Sequence, residues 1–531
     1  NALVGSFGKV ISETYVRTSV SGIHFNWFYP LLGVFCGIGA SLMAALFPAR
    51  TSSRISPVSA IRSVPYAEEG FFTTSRLNCA ATLCLCVSFS ILLGYNLLGN
   101  SSQMKNATLL FAAQLLLAVG ISLFTPTFLR GFVSIFNRLF SSSFGAAGRL
   151  AGLNLRKNLT RNAVAVAAVF FGITVFVSTS GFVNSVKESA ISWLDSVVRA
   201  DIIVTSGHPS SSTNAQTIPM PIEMMRDMEK TPGVLAVDPW RKIYINYQGR
   251  NVLLSTIDIA RRSAYCHFEI VQAVADNSLK LLPNQDKVLV SEPFAAIFGV
   301  KPGDTLELPT PLGPVRFGIA GVLVDYLCDN GTIVMDNNTY QRHWGDMLAN
   351  SFNVRVKPGH NISEVRNAIQ KRFGNDRLLF VLPVWEFKNE IRKVLDRTFI
   401  FNYALNVITL TIACLGIIVT LFASILERTR EIGILRSIGM LRSQISGVVV
   451  LESMLMGLAG GFLGSITGIL AGWINLEGFF VASYGSAAKY YVPYVAIIWA
   501  LVLSGGLSAL AGLIPAAKAA KTNIVEALAY D

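Results

Sequence analysis

The sequence predicts a polytopic α-helical membrane protein with one α/β domain outside the membrane, carried on helical stalks. The chain is 52% hydrophobic and 14% charged, with a mean hydropathy of +0.50, whereas soluble proteins are about 25% charged. The apolar residues lie in runs long enough to cross a bilayer, which takes about 20 helical residues. One long stretch of mixed polarity, residues 201–384, is large enough for a hydrophobic core of its own.

Seven segments qualify as membrane spans by length and hydropathy. They are residues 28–47, 77–98, 108–129, 163–183, 399–426, 444–474 and 493–514. The connecting segments alternate in their content of Lys and Arg. Residues 48–76, 130–162, 427–443 and 515–531 together hold 16, whereas residues 5–27, 99–107 and 475–492 hold four. Because basic loops stay in the cytoplasm, we expect residues 184–398 outside it and the C-terminus inside. The net charge of +12 then belongs to membrane-flanking loops and not to a nucleic-acid surface.

Residues 1–64 resemble the end of the chain. At a constant offset of 467 positions, Pro48 aligns with Pro515 and Arg54 aligns with Lys521. We therefore interpret this segment as the last span and cytoplasmic tail of a first repeat, whose remainder lies upstream of the given sequence. In both copies we expect the proline to stop or kink the helix that leaves the bilayer.

The remaining membrane segments follow in order. Residues 65–130 hold two extra spans that match neither copy, and residues 131–162 form a basic cytoplasmic linker with a helix at the membrane interface. Residues 163–200 cross outward and continue as a stalk. The last segment, residues 385–531, begins with a second stalk and holds three spans, the loop 427–442 and a cytoplasmic tail. Two stalk helices would carry the external domain rigidly.

The domain at residues 201–384 is predicted to be mixed α/β. Alternating and β-branched runs indicate strands at 201–205, 242–247, 251–257, 287–290, 305–308, 315–324 and 352–356. Helices are expected at 221–230 and 363–373, the second capped by Ser363. Cys266 and Cys328 are the two cysteines of this domain. They could pair in an oxidising compartment, and the sequence does not decide whether they do.

The stretch 427–441, E-R-T-R-E-I-G-I-L-R-S-I-G-M-L, lies between two spans. Apolar residues recur in it at steps of three or four, which predicts a short amphipathic helix. One series is Ile432, Leu435 and Ile438, and a second is Ile434, Ile438 and Leu441. Glu427 and Glu431 fall in the expected first turn, where the helix dipole favours acids. The pattern alone leaves two alternatives open: a helix lying on lipid head groups and a helix that docks into a partner.

The order of residues in this stretch resembles a loop of the FtsX/MacB-like ABC transporter permease family, with the pattern E-R-x-x-E-I-G-h-h-R-x-h-G, where h is hydrophobic. Further matches to the family's motifs lie at 47–61, 151–162, 299–325 and 514–528. The last of these departs from the family pattern P-A-x-x-A-x-x-x-x-P-h-x-A-L, since Ile524 replaces the second proline. In this family the short helix docks into the partner ATPase and transmits its motion.

The resemblance implies roles for the matching residues. ATPase coupling would fall to Glu427, Arg428, Arg430, Glu431, Ile432, Gly433, Leu435, Arg436 and Gly439. The chain would be the C-terminal part of a two-repeat, ten-span permease in the bacterial inner membrane. Its partners would be two copies of an ABC ATPase subunit, which hold ATP and Mg²⁺, together with membrane lipid and an extracytoplasmic protein. No cofactor of its own and no nucleic acid are implied.

The implied function is that of a permease subunit that exports or extracts an amphiphilic or envelope substrate such as a lipid, lipoprotein or peptide. The alternative is a transmembrane mechanical relay that activates an extracytoplasmic hydrolase. The sequence contains no phosphate-binding G-x-x-x-x-G-K-[ST] motif and no H-E-x-x-H or G-x-S-x-G motif. We therefore expect a non-catalytic membrane subunit, with ATP hydrolysis performed by a partner chain.

Two features of the span 444–474 are candidates for transmission. Glu452 is ionisable inside an otherwise apolar segment. The family often carries a Glu here, and the alternative is an interfacial carboxylate that pairs with a neighbouring Arg. Glycines recur at four-residue steps, which predicts a smooth ridge that another helix can approach closely. They are Gly460, Gly464, Gly468 and Gly472.

Overall fold

The computed structural model describes most of the chain. The described residues are 74–98, 103–140, 145–157, 159–206, 217–275, 278–283, 285–328, 330–374, 379–427, 429–481 and 488–520, with scattered positions between 27 and 46. Residues 1–76 and 77–531 form separate compact units. The architecture given below is that of the second unit.

Helices form both the membrane bundle and the flanks of the α/β domain. In the described residues they are α1 (Thr74–Leu98), α2 (Gln103–Phe140), α3 (Gly145–Lys157), α4 (Leu159–Val197), α5 (Met224–Glu229), α6 (Ile259–Arg262), α7 (Glu292–Phe298), α8 (Asn337–Trp344), α9 (Ile362–Ile369), α10 (Val384–Thr398), α11 (Ile400–Glu427), α12 (Thr429–Ser437), α13 (Arg442–Asn475) and α14 (Tyr494–Ala520).

Six helical stretches of the described residues are long and apolar enough to cross a membrane. They correspond to α1, α2, α4, α11, α13 and α14, and therefore to six of the seven predicted spans. The predicted first span, residues 28–47, lies largely outside the described residues. Helices α2 and α4 extend beyond the apolar segments that predicted them. The class of fold expected from hydropathy is confirmed.

Helices α4 and α10 are the two predicted stalks. Helix α4 runs without interruption from the membrane segment to Val197, and α10 is separated from α11 only by Phe399. Two ion pairs of opposite polarity join the stalks: Lys187 of α4 to Asp396 of α10, and Lys388 of α10 to Asp195 of α4. The stalks are therefore fastened to each other at two levels above the membrane segments.

The α/β domain is built on one large sheet. Its strands are β1 (Ile202–Thr205), β3 (Val234–Tyr247), β4 (Arg250–Ile257), β5 (Ile270–Ala273), β6 (Lys287–Ser291), β7 (Thr305–Thr310), β8 (Gly313–Leu323), β9 (Thr332–Asp336), β11 (Ser351–Val356) and β12 (Phe380–Pro383), while β2 (Met220–Pro221) and β10 (Leu348–Ala349) form a separate pair. The order is β12-β1-β11-β3-β4-β9-β6-β8-β5, with β7 added on β8. Only β4–β9 and β6–β8 pair in parallel.

The two faces of this sheet are covered differently, because alternate residues of a strand point to opposite sides. One face carries two apolar clusters under the short helices α5, α7, α8 and α9. On the other face, the ends of both stalks pack through Leu194, Val197 and Phe387 onto strand residues that include Trp240. We call this contact of stalk ends with the sheet the joint.

Local details refine the expectations. Of the two alternatives for Pro515, that it stops the helix is wrong, since α14 continues to Ala520 with Pro515 buried inside it. Ser363 is not the cap of α9. The cap is Asn361, whose side chain accepts a hydrogen bond from the Ser363 N–H. Whether Cys266 and Cys328 pair was left open by the sequence, and among the described residues they form no disulfide; the buried Cys266 thiol donates to the Val197 carbonyl at 3.2 Å.

Candidate functional site

The predicted coupling stretch forms a short helix at the end of the bundle far from the α/β domain. Helix α12 begins at Thr429, so Glu427 is the last residue of α11 and does not lie in the first turn of α12 as expected. Glu431 does lie there. Gly439 has a φ of +105° with open space around it, a conformation that side-chain-bearing residues rarely adopt, and it turns the chain into α13.

The apolar residues of this stretch divide into buried and exposed positions, and the division does not follow the two predicted series. Ile432 packs against a buried cluster formed by the ends of α11, α13 and α14, and Gly433 is buried. Ile434, Ile438 and Leu441 are 42%, 79% and 62% exposed. Of the first series only Ile432 anchors α12 on the bundle, whereas the whole second series is exposed. Leu435 is 38% exposed and lines the cavity under the helix.

Not all of the predicted coupling residues can be placed. The side chains of Glu427 and Arg430 and the whole of Arg428 lie outside the described residues. Arg436 lies in the last turn of α12, where its positive charge interacts favourably with the negative end of the helix dipole. In the repeat tails, Pro48, Arg54 and Lys521 also lie outside the described residues.

The interfacial helix α3 contacts this coupling stretch, a link that the sequence did not reveal. Lys157 forms an ion pair with Glu431 at 2.6 Å, and the Asn154 amide donates to the Glu452 carboxylate at 2.5 Å. Glu452 is 3% exposed, and its hydrogen bond with α3 is part-buried. A cavity of about 60 Å³ lies under α12, between these two contacts. The interfacial helix, expected to serve only as a lipid anchor, thus holds both α12 and α13.

The glycine ridge of α13 packs directly on the outward-running helix α4. A Cβ added at Gly460, Gly464 or Gly468 would lie 2.6–2.8 Å from a Cβ of α4, closer than real Cβ atoms approach. At Gly472 it would lie 2.8 Å from the Tyr490 hydroxyl. The residues predicted to allow close helix approach therefore do so along several turns of α4.

A second glycine face of α13 was missed in the sequence. A Cβ added at Gly457 or Gly461 would lie 2.0–2.1 Å from a serine hydroxyl of α14. Gly512 of α14 makes the reciprocal approach to Ser453 of α13. Gly457 and Gly461 are four residues apart, and this spacing could have predicted the second glycine face. Helix α13, which directly follows the coupling stretch, is therefore in close contact with two other helices at once.

At the opposite end of the bundle, residues 488–493 lie along the stalk helix α4. We call this segment the outer strap. Ser185, fully buried, accepts a hydrogen bond from the Tyr491 N–H at 2.9 Å, and Ser189 accepts from the Lys489 N–H at 3.1 Å. The Lys489 ammonium also lies 3.6 Å from Glu269 of the α/β domain. The strap therefore joins the α13–α14 hairpin to the stalk.

A groove of about 470 Å³ opens beside the strap, where α4, α11 and α14 meet below the stalks. Phe176, Val183 and Trp499 supply apolar lining, while Asn184, Asn402 and Asn406 supply amides. Lys187, which pairs with Asp396, adds a charged group to the lining. Its rim residues Tyr403, Tyr494, Val495 and Trp499 are 56–71% exposed. A wall of this kind, mostly apolar with a few amides, suits a ligand that has a hydrocarbon part and a polar part.

The joint contains buried charged groups. The Lys242 ammonium lies 3.8 Å from the centre of the Trp240 ring, and the Arg262 guanidinium carbon lies 4.6 Å from it. Burial, followed by the nearby Arg262, lowers the pKa of Lys242 to about 7. Burial likewise raises the pKa of Asp325 to about 6. Among the described residues, no group of three or more His, Cys, Asp and Glu is placed to hold a metal ion.

Two family models match the chain. Residues 163–372 match the MacB-like periplasmic core domain, and residues 403–524 match the FtsX-like permease C-terminal domain. The first covers α4 and most of the α/β domain. The second covers most of α11 together with α12, α13 and α14. The predicted family resemblance is confirmed by these matches.

Individual relatives agree with the family models. An uncharacterized ABC transporter permease protein of Mycobacterium tuberculosis is 24% identical over 99% of this chain and 61% of its own length. The macrolide export ATP-binding/permease protein MacB of Psychrobacter arcticus is 24% identical over 75% of this chain and 63% of its own length. The chain thus spans less than two thirds of these relatives. The crystal structure of the periplasmic region of MacB from Actinobacillus actinomycetemcomitans overlaps 37% of this chain and 95% of its own, at 14% identity and a TM-score of 0.28, too low to carry an argument.

Proposed function

Because the chain belongs to the FtsX/MacB-like permeases through its MacB-like periplasmic core domain and its FtsX-like permease domain, we propose that it is the permease subunit of an ABC transporter. It converts the ATP-driven motion of a separate ATPase subunit into movement of its α/β domain. It thereby exports or extracts an amphiphilic or envelope substrate, that is, a lipid, lipoprotein or peptide.

The observation that carries the transport proposal is the groove of about 470 Å³ between α4, α11 and α14. It lies at the foot of the stalks, so a ligand bound there is next to the helices that would move. Its apolar lining with three amides matches an acyl chain joined to an ester or amide group. A mechanical relay acting on an external hydrolase needs no such groove, and we therefore rank that alternative second.

The transmission route follows contacts between the described residues. An ATPase subunit docks on the exposed series Ile434, Ile438 and Leu441 of α12. Movement of α12 is passed to α13, which follows it in the chain, and from the glycine ridge of α13 to α4. Helix α4 is continuous to Val197 at the joint. Because each of these contacts is closely packed, a displacement of α12 is transmitted through α13 to α4 and is not lost in local rearrangement.

The chain depends on a partner for ATP. The given sequence has no motif that would cradle the phosphates. In this proposal, ATP and Mg²⁺ are held by two copies of a partner ATPase subunit. With the described arrangement, α12 would lie on the cytoplasmic side of the bacterial inner membrane. The α/β domain would lie outside it, where a further protein could dock.

ATPase stimulation tests the coupling. The full-length permease, assembled in nanodiscs with the ATPase encoded beside it, is compared with its Glu431→Lys and Gly433→Trp variants. The first reverses the charge that pairs with Lys157, and the second forces a large ring into a buried position of α12. We expect both variants to assemble and to lose stimulated ATP hydrolysis at least tenfold.

The matched control is Glu364→Lys, the same charge reversal on an exposed residue of α9 in the α/β domain, which should leave hydrolysis unchanged. If Glu431→Lys and Gly433→Trp hydrolyse ATP like the wild type in intact complexes, α12 is a membrane-surface helix and the coupling proposal is wrong.

Photocrosslinking tests the groove. A diacylated lipopeptide carrying a diazirine on one acyl chain is added to the assembled complex and irradiated. We expect crosslinks to α4 and α11, and a strong reduction in Asn402→Trp, which places an indole in the groove. Val419→Trp, on an exposed position of the same helix, is the control. Equal crosslinking in all three proteins, with ATP hydrolysis still coupled, would favour the mechanical relay.

A further inference from the structure

Lys187 of α4 belongs both to the wall of the groove and to the contact between the stalks. It lies shortly beyond Val183, the last residue of the predicted span, and it lines the groove. Among the described residues of the groove wall, it is the one with a charged side chain. Its partner Asp396, on α10, does not line the groove. The wall therefore carries one positive charge, and the balancing carboxylate lies outside it.

The groove changes in polarity along α4. Phe176 and Lys187, which both line it, are separated by roughly 16 Å of helix at 1.5 Å per residue. At the inner end the Thr179 hydroxyl donates to the Asn406 amide oxygen at 3.1 Å, so these two polar groups are engaged with each other. At the outer end Asn184 and Lys187 lie on the same face of α4. A long molecule bound along α4 therefore meets an aromatic ring at one end and an ammonium at the other.

The rim of the groove has the composition of a membrane–water interface. Tyr403, Tyr494 and Trp499 are 56–71% exposed, and exposed Tyr and Trp are typical of the level at which lipid head groups lie. A molecule that enters from the bilayer would bring its head group to the level of Lys187 and its chain toward Phe176. The occupant that suits this geometry is an amphiphile from the membrane and not a small ion from solution.

The ion pair of Lys187 with Asp396 leaves the ammonium accessible to another anion. The Lys187 side chain is 23% exposed and that of Asp396 is 52% exposed, and pairs with this much exposure contribute little to stability. An ammonium has three N–H donors, and one of them is used by an Asp396 oxygen. A phosphate or carboxylate in the groove would therefore compete with a half-hydrated side chain for Lys187.

We propose that Lys187 is the head-group anchor of the groove, that the groove selects an amphiphile with a phosphate or carboxylate head group, and that Asp396 competes with this head group for the ammonium. This inference rests on the proposed function and adds the charge of the ligand, which the amides alone leave open. Binding and stalk contact are then linked reciprocally. An anion that draws Lys187 away from Asp396 loosens the stalk pair, and parting of the stalks strengthens binding.

The second stalk pair is a matched control. Lys388 and Asp195 join the same two helices with reversed polarity, and their side chains are 22% and 55% exposed, close to the values of the first pair. Asp195 lies about 12 Å beyond Lys187 along α4, and neither residue of this second pair lines the groove. Loss of a carboxylate from either pair changes the net charge and the stalk contact alike, but only Asp396 competes for a ligand of the groove.

Photocrosslinking with two probes that differ only in their head group tests the anchor. The full-length permease and its ATPase are assembled in phosphatidylcholine nanodiscs. They are irradiated with a monoacylglycerol phosphate or with the matching monoacylglycerol, each carrying a diazirine in its acyl chain. The measured quantity is the ratio of phosphate-probe to neutral-probe labelling on α4 and α11. In the wild type we expect a ratio of about three to five, the fold-change that one accessible ion pair supplies.

The variants separate the anchor from other effects. In Asp396→Asn the ratio should rise by about a further three- to fivefold, because the competing carboxylate is gone, and misfolding cannot produce such a gain. In Lys187→Gln it should fall to about one, while labelling by the neutral probe shows that the groove is intact. Asp195→Asn should keep the wild-type ratio. An equal rise in Asp195→Asn and Asp396→Asn would mean that the net charge of the stalks attracts the phosphate, and would overturn the anchor.

The two probes also distinguish a failure of the anchor from a failure of the transport proposal. If both probes label the groove equally in the wild type, in Lys187→Gln and in Asp396→Asn, the groove takes amphiphiles regardless of charge. The anchor is then wrong, and the proposed function stands. If neither probe labels α4 or α11 in any of the proteins, the groove binds no amphiphile and both proposals fail.

Discussion

At the scale of single residues, the buried charges of the joint make the α/β domain sensitive to pH. Lys242 is 2% exposed, and burial is the first cause of its lowered pKa of about 7. In the unfolded chain the ammonium keeps its ordinary pKa, so between pH 7 and the ordinary value the unfolded state binds more protons. The free energy of unfolding therefore rises with pH in that window. Asp325, whose pKa is raised to about 6, titrates below it.

We predict that the wild-type domain melts at a higher temperature at pH 8.5 than at pH 7. Lys242→Met should abolish this dependence, because the group that releases a proton on folding is gone. Lys357→Met, at an exposed position, should retain it. The midpoints are measured by fluorescence in the full-length protein at the two pH values. A pH dependence unchanged in Lys242→Met would mean that this ammonium stays charged in the folded domain.

At the scale of elements, α13 is the helix around which the bundle is packed. Its glycines bring it against α4 on one side and α14 on the other, because the absence of side chains lets helix axes come closer. The same helix begins just after the coupling stretch. We therefore propose that α13 passes a movement of the predicted coupling stretch to both neighbouring helices, since it contacts them closely at its glycines.

Gly464→Ala should destabilise the bundle by about 1–3 kcal/mol. Its Cβ would lie 2.8 Å from the Ile173 Cβ and 2.9 Å from the Phe170 carbonyl oxygen, so the helices must separate. Gly447→Ala, on the same helix with nothing within 4 Å, should be neutral or stabilising by about 0.5–1 kcal/mol. Denaturant titration in mixed micelles measures both. Equal effects of the two changes would contradict the close approach of α13 and α4.

The outer strap is the second element whose role can be tested. The double variant Ser185→Ala/Ser189→Ala removes both hydroxyls and leaves two N–H groups of the strap without acceptors. Each unsatisfied N–H group costs about 1–3 kcal/mol of stability. We expect amide hydrogen exchange at residues 488–493 to accelerate at least tenfold, while α12 keeps its exchange rates. Ser196→Ala is the control, since that hydroxyl bonds within its own helix. Unchanged exchange in the double variant would mean that the strap is held by other contacts.

At the scale of the whole molecule, the distribution of Lys and Arg predicts one orientation in the membrane. In a variant lacking its exposed cysteines, a membrane-impermeant maleimide should label Lys357→Cys in intact cells. It should label Ser437→Cys, at the end of α12, only after the membrane is permeabilised. The physical reason is the retention of basic loops in the cytoplasm. Labelling in the reverse order would invert the orientation and remove α12 from the reach of a cytoplasmic ATPase.

The sequence by itself determined the features that depend on local pattern. Hydropathy placed six described spans, and the spacing of Gly460 to Gly472 predicted a ridge that packs on α4. Alternation and β-branched runs placed seven strands of the α/β domain but missed β2, β5, β9, β10 and β12. The family resemblance followed from the motif at residues 427–441. Each of these signals is contained in neighbouring residues, because helix and strand periods are set by the backbone.

The tertiary structure decided everything that depends on residues far apart in the chain. The contact of Asn154 with Glu452 joins positions 298 residues apart, and that of Ser189 with Lys489 joins positions 300 apart. No local pattern marked the charges of the joint, Lys242, Arg262 and Asp325, as buried. These three residues become buried together only when the sheet packs under the stalk ends. Burial of this kind depends on the whole packed structure, and it therefore produces no periodic pattern in the sequence.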